Sequence, residues 1–184
     1  MKIEFDLSKN GIKALQQALK DYKADIKNKA QLFVERLADL GIETAVMTVG
    51  EYGSYITFSR NVEQTKDGIS GVMYATSGTI RRRWQTKSGI KEADISPLLM
   101  AEFGSGNEAV DAIGAPTAQK ALELGMGQGT FPDQTHAFEP YWSWKDLDGV
   151  WHESSGEMPT MPLFRAYLSM EADLIRIAQE VFKG

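Results

Sequence analysis

The chain has 184 residues, 42% of them hydrophobic and 24% charged, with a formal net charge of −5 at pH 7. That length suits one domain with a sizeable core and is short for two. With no cysteine and only two histidines, disulfides, thiolate chemistry and a cysteine- or histidine-rich zinc site are excluded, and a reducing cytosol fits. The stretch Met1 to Asn10 carries Glu4 and Asp6 and no basic region ahead of an apolar run, so it does not read as a signal peptide. No segment approaches the roughly 18 apolar residues of a membrane span. The charge is unevenly distributed. Residues 1 to 92 hold 15 Lys+Arg against 11 Asp+Glu, and residues 93 to 184 hold 5 against 14. A molecule with one positive and one negative side would suit neighbours meeting head to tail; the alternative is that the sequence halves do not map onto faces.

Lys2 to Leu7 alternates like a strand or arm, and Ser8 is a plausible helix N-cap. Ile12, Leu15, Leu19, Tyr22, Ile26, Phe33, Leu37 and Leu40 then recur at spacings of three and four, which predicts an amphipathic helix from about Lys9 to Leu40. At 1.5 Å per residue it is roughly 48 Å long, and Gly41 is well placed as its C-terminal cap. A helix lying across a sheet is preferred to a coiled coil. Beyond Gly41 the pattern becomes alternating. Ile42 to Val49 and Ser54 to Arg60, separated by Gly50-Glu51-Tyr52-Gly53, read as a β-hairpin. Further strands are expected at Ile69 to Thr76 and Thr79 to Gln85, with turns at Lys66-Asp67-Gly68 and Ser77-Gly78. A short apolar segment runs from Ile95 to Phe103, and a last helix from about Met161 to Phe182. This order predicts an α+β fold in a single domain over residues 1–184: the long N-terminal and the C-terminal helix packed on a small antiparallel sheet.

Residues 107–155 interrupt that plan as a long insertion. Ala115 to Leu124 could form a short helix, led by Pro116 and closed by Gly125. The remainder carries an aromatic cluster, Phe131, His136, Phe138, Tyr141, Trp142, Trp144, Trp151 and His152, too rich for a disordered linker. An ordered projection that buries its tryptophans against the body or a neighbouring subunit is expected. Glycan binding by Trp142, Trp144 and Trp151 is the alternative to interface anchoring.

The search for chemistry returns little. His136 and His152, with nearby Asp133, Glu139, Asp146, Asp148 and Glu153, match no dense metal motif, and Asp146-Leu147-Asp148-Gly149 reads as a turn before it reads as a calcium loop. Ser154-Ser155-Gly156 is not a nucleophile elbow, and Gly125-Met126-Gly127-Gln128-Gly129 lacks the lysine of a phosphate loop. No catalytic residue, cofactor or metal is expected. Arg81-Arg82-Arg83-Trp84 is a basic strand with an aromatic. At most two of its arginines share a face, and a DNA channel, an acidic neighbouring subunit and plain solvation all stay open.

Two short segments say more. Ala101-Glu102-Phe103-Gly104-Ser105-Gly106 sets an acid and an aromatic at the end of an apolar stretch, directly before glycines that allow φ > 0. Gly156-Glu157-Met158-Pro159-Thr160-Met161-Pro162-Leu163-Phe164-Arg165-Ala166 leads into the last helix through Pro162, a residue suited to a first turn. Together, and in their order along the chain, they resemble the Glu-Phe-Gly-Thr and proline-phenylalanine signatures of the tail-completion, or head-to-tail joining, proteins of long-tailed bacteriophages. Ser105 stands where the family often has threonine, Tyr167 where it often has proline, and the insertion is longer than in compact members. The resemblance implies a non-enzymatic structural protein of the virion neck, assembled in the host bacterial cytoplasm. It also implies a ring, six- or twelve-fold, that meets the head-closure or connector protein on one side and the tail terminator or tail tube on the other, with packaged DNA a possible contact. By that likeness Glu102, Phe103 and Gly104 occupy the Glu-Phe-Gly positions, and Pro162, Leu163, Phe164 and Ala166 those of the helix start. A carbohydrate- or protein-binding module using the aromatic stretch 131–152 is the alternative. On physical grounds alone, Glu102 is expected to accept backbone N–H bonds from the chain returning at Pro159 to Pro162, with Phe103 and Phe164 joining sheet and helix.

Overall fold

The structure, a computed structural model, describes residues 9–106, 108 and 139–183. Its fold is α+β, with a long N-terminal helix, a C-terminal helix and antiparallel strands. The expected strand at Lys2 to Leu7, the helix at Ala115 to Leu124, and Phe131, His136 and Phe138 lie outside the described residues.

Helix α1 spans Lys9–Thr48, about 60 Å at 1.5 Å per residue. It therefore continues through Gly41 and on to Thr48, where the sequence suggested a cap at Gly41 and the first strand of a hairpin at Ile42 to Val49. The alternating Ile42, Thr44, Val46 and Thr48 imitate a strand. Beneath them, Ala38, Gly41, Ala45 and Val49 are buried at helical spacing. The threonines are accommodated because Thr44 and Thr48 donate their hydroxyls to the carbonyls of Leu40 (2.9 Å) and Thr44 (2.7 Å) one turn back. Gly41 is needed for proximity. A Cβ there would lie 2.8 Å from Met170 Sδ and 2.9 Å from Met73 Sδ, one from the last helix and one from the sheet.

A 3-10 turn at Gly50–Tyr55 leads into β1 (Ile56–Gln64), whose antiparallel partner is β2 (Ile69–Ser77), in register from Ile56↔Ser77 to Gln64↔Ile69. The turn falls at Lys66-Asp67-Gly68 as expected. This hairpin lies against α1: the Arg60 guanidinium bonds Asp39 at 2.6 Å, and Gly71 faces Val34 so closely that no Cβ fits. The chain then leaves that hairpin, so the strands form two sheets where the sequence suggested one. β3 (Ile80–Thr86) pairs with β4 (Gly89–Ile95), and the second sheet runs β4-β3-β5-β6, with β5 (Trp142–Lys145) and β6 (Trp151–Ser154) supplied by the insertion. β4 was not foreseen. Six of its seven residues are exposed, so it has no apolar alternation to read.

Helix α2 (Pro97–Phe103) is capped by Ser96, whose hydroxyl accepts from Leu99 N at 3.4 Å, and begins with a fully buried Pro97. Val49, Tyr52, Ile56, Met100, Ala101 and Phe103 form the buried core where α1 ends, with Phe58, Ile80, Ile95 and Leu98 packed around it. A two-residue strand, β7 (Gly156–Glu157), then precedes helix α3 (Pro162–Phe182). α3 runs antiparallel to the second half of α1. The hydroxyls of Thr44 and Ser169 are hydrogen-bonded at 3.1 Å, Arg36 meets Glu180 at 3.5 Å, and the rings of Phe33 and Phe182 lie 6.1 Å apart.

Candidate functional site

The two segments singled out in the sequence meet in space. α2 ends on Glu102 and Phe103, and the chain reaching α3 passes directly against that end. Glu102 is 8% exposed, and its two carboxylate oxygens accept the backbone N–H groups of Leu163 (2.9 Å, Oε2) and Phe164 (3.0 Å, Oε1). These are first-turn donors of α3, which have no partner within a helix. The residue before that turn, Met161, is in the left-handed region (φ 51°, ψ 52°) and makes no side-chain cap bond. A carboxylate 61 positions upstream therefore does the work usually left to an N-cap side chain, and its charge sits at the positive end of the helix dipole.

The expected donors were Pro159 to Pro162; the observed ones lie one step further on. Prolines 159 and 162 carry no N–H. The two residues between them, Thr160 and Met161, donate instead to the carbonyl of Ala101, each at 2.9 Å. Thr160 Oγ1 shares its one proton between the carbonyls of Val49 and Ala101, each at 3.3 Å, tying in the end of α1.

Gly104 and Gly156 make the approach possible. Both have positive φ, 65° and 111°, and both face backbone: a Cβ on Gly104 would strike the Glu157 carbonyl and one on Gly156 the Ser105 carbonyl. Ser105↔Glu157 and Gly106↔Gly156 form antiparallel bridges across this gap.

A second, unforeseen layer lies beside the clasp. Tyr52 Oη donates to Glu157 Oε2 at 2.6 Å. Burial first, and the Glu157 bond second, push the Tyr52 phenol well above its ordinary range. Burial, helped by neighbouring Glu51, raises the Glu157 carboxyl, while the Tyr52 bond and Arg82 act against the shift. Glu102 is also raised, because burial outweighs the two N–H bonds that favour its ionised form. Tyr52 escaped notice because, in Gly50-Glu51-Tyr52-Gly53, it reads as the middle of a hairpin turn. Glu157 and Gly156 lie in the second of the two segments, where the sequence alone gives them no role.

The aromatic side chains of the clasp differ. Phe103 is buried in the core. Phe164 is only half-buried and stacks on exposed Tyr167, with centroids 6.5 Å apart, so it does not join sheet to helix as expected. Pro162 and Ala166 are buried beneath the first turn of α3.

The arginine strand divides by face. Arg81 binds Asp94 through two bonds of 2.9 and 3.2 Å, and Arg83 approaches Glu92 at 3.7 Å, both acids lying opposite on β4. Arg81 holds the Asp94 carboxyl below its usual range. Arg82, on the other face, acts electrostatically on Tyr52 and Glu157.

In the insertion, Asp146 to Val150 closes the β5–β6 hairpin. Asp146 Oδ1 accepts Val150 N and Oδ2 meets His152 Nε2, both at 2.8 Å, and these bonds keep its carboxyl low. Asp146-Leu147-Asp148-Gly149 is thus a turn. Trp144 stacks on His152 with centroids 4.5 Å apart, whereas Trp151 is 68% exposed with Lys145 Nζ 5.8 Å from its ring. Trp142 is on β5, one strand from the edge of the sheet. Among the described residues, no cluster of three or more metal-ligating side chains occurs, and no helix is long and apolar enough to cross a membrane.

Comparison of the chain with protein-family models, with curated proteins and with solved structures finds no match.

Proposed function

We propose that this protein is a structural subunit of a bacteriophage neck, forming a ring that completes the tail end and joins head to tail. One observation carries the reading. The Glu-Phe-Gly segment and the proline-led helix start, which resemble the family's two signatures separately, belong to one clasp through the Glu102 bonds to Leu163 and Phe164. Two motifs held in contact are what a scaffold needs in order to keep its last helix in a fixed pose across the long segment between them. Glu102, Phe103, Gly104, Pro162 and Ala166 are structural in this reading, and no residue is assigned a catalytic role. Within the arginine strand, contact with packaged DNA falls first to Arg82, since Asp94 and Glu92 engage Arg81 and Arg83. The ring's neighbours are a head-closure or connector protein and a tail terminator or tail tube protein.

The exposure of Trp151 beside Lys145 favours a second reading, a carbohydrate- or protein-binding module. Electron microscopy of the protein mixed with connector and tail components separates the two. Ring-shaped class averages bound to either component support the neck assignment. A protein that binds glycans on an array, and ignores both components, refutes it.

A further inference from the structure

The apolar stripe of α1 is longer than the helix that covers it. α3 ends at Phe182, beside Phe33, so α1 from Lys9 to about Leu32 runs on past it for about 36 Å at 1.5 Å per residue. The stripe does not stop there: Ile12, Leu19, Tyr22 and Ile26 are 42–51% exposed. α3 has a matching surplus. Its inner face is buried through Ala166, Ile177 and Val181, but on its outer face Leu168 is 45% and Ile175 68% exposed, and Phe182, though its ring lies beside Phe33, is still 45% exposed.

The two faces share a period. Ile12, Leu19 and Ile26 recur every seven residues, and so do Leu168, Ile175 and Phe182. Seven is the repeat that keeps one helix seam against another at a shallow crossing angle. At 21 residues, α3 is about 31 Å long, close to the length of the uncovered part of α1.

Charge selects between the possible pairings. Residues 9 to 32 carry six lysines and two aspartates, so two such arms laid together would set like charges side by side. α3 holds three acids and two arginines. Asp173 and Glu180 bind Arg176, each at 2.7 Å, and Glu171 stands exposed between Leu168 and Ile175. A lysine-rich arm meets attraction there.

We propose that the projecting N-terminal half of α1 docks on the outer face of α3 of a second copy of this chain. Because the two surfaces differ, the contact is heterologous: every copy offers one arm and one face, and successive copies close into a ring or extend into a filament. The inference deepens the ring assignment and rests on it for closure.

The test uses two variants of the full chain, L19D/I26D on the arm and I175D on the face, compared with wild type by sedimentation velocity and mass photometry. All three positions are exposed, so unfolding temperatures should match wild type. K20E/K23E, which leaves the apolar stripe intact, serves as a second arm variant. Wild type should self-associate, less at high salt, and each variant alone should weaken association by about tenfold or more. Mixing L19D/I26D with I175D should restore one contact and give a 1:1 dimer that grows no further. A monomeric wild type, variants that assemble like wild type, or a mixture that stays monomeric overturns the docking. Rings that persist in both variants refute this contact and leave the neck assignment standing. Assembly through this contact without binding to connector or tail components refutes the neck assignment alone.

Discussion

Removing the Glu102 carboxylate tests the clasp most directly. Glu102→Ala leaves the N–H groups of Leu163 and Phe164 without their acceptor in a half-buried first turn. A stranded donor costs about 1–3 kcal/mol, and loss of a helix cap about 0.5–2 kcal/mol. Water reaching the half-buried turn offsets part of this, so a loss of about 2–4 kcal/mol is expected, with Glu102→Gln, which keeps one carbonyl acceptor, at roughly half that. Urea denaturation of the three proteins measures both. The pH dependence adds a second criterion. Because burial raises the Glu102 carboxyl in the folded state, the folded protein holds that proton more tightly than the unfolded chain. Its contribution is therefore fully present below the unfolded value and declines as pH rises through the folded one. The advantage of wild type over Glu102→Gln should be larger at low pH than at neutral pH. The difference between the two proteins removes the parallel titration of Glu157. A loss below about 0.5 kcal/mol in Glu102→Ala, within the range of ordinary surface changes, or an advantage that grows with pH, would refute the account.

Three further outcomes follow from the packing. Phe103→Ala should cost about 3–5 kcal/mol by chemical denaturation and Phe164→Ala clearly less, since the first ring is buried and the second only half-buried. Gly41→Val should lower the thermal unfolding temperature by several degrees, because Gly41 lies against Met170 and Met73; an unchanged temperature would remove the close helix contact. Arg81→Gln should leave the unfolding temperature nearly unchanged, as expected for an exposed ion pair, whereas Gly104→Ala, with its Cβ directed at backbone, should unfold at markedly lower temperature.

The readable parts of the fold were those with an apolar period. α1 up to Leu40, the strands at Ile69 and Ile80, and the start of α3 at Pro162 all follow from it. Two features defeated it for identifiable reasons. From Ile42 to Thr48 the β-branched residues alternate like a strand, and only the small Ala38, Gly41, Ala45 and Val49 beneath record that the helix goes on. β4 is charged and exposed on both faces, so its signal lies in its partner: Asp94 and Glu92 fall opposite Arg81 and Arg83. For the clasp, composition was enough to pair Glu102 with the returning chain. The exact donors required knowing that prolines 159 and 162 supply none, and the Tyr52–Glu157 bond joins residues 105 positions apart with no local trace.

The Glu102 to Phe164 bonds span 62 positions, and this separation has an entropic side. The entropy of closing a loop rises only with the logarithm of its length, about 0.6 kcal/mol per doubling. Once the ends of the insertion are pinned by the carboxylate, the two glycines and the Ala101 carbonyl, added length that leaves β5 and β6 in place on the sheet costs little in closure entropy. The clasp thus works as a cassette boundary. Length added within it, outside β5 and β6, leaves α3 in its place on α1.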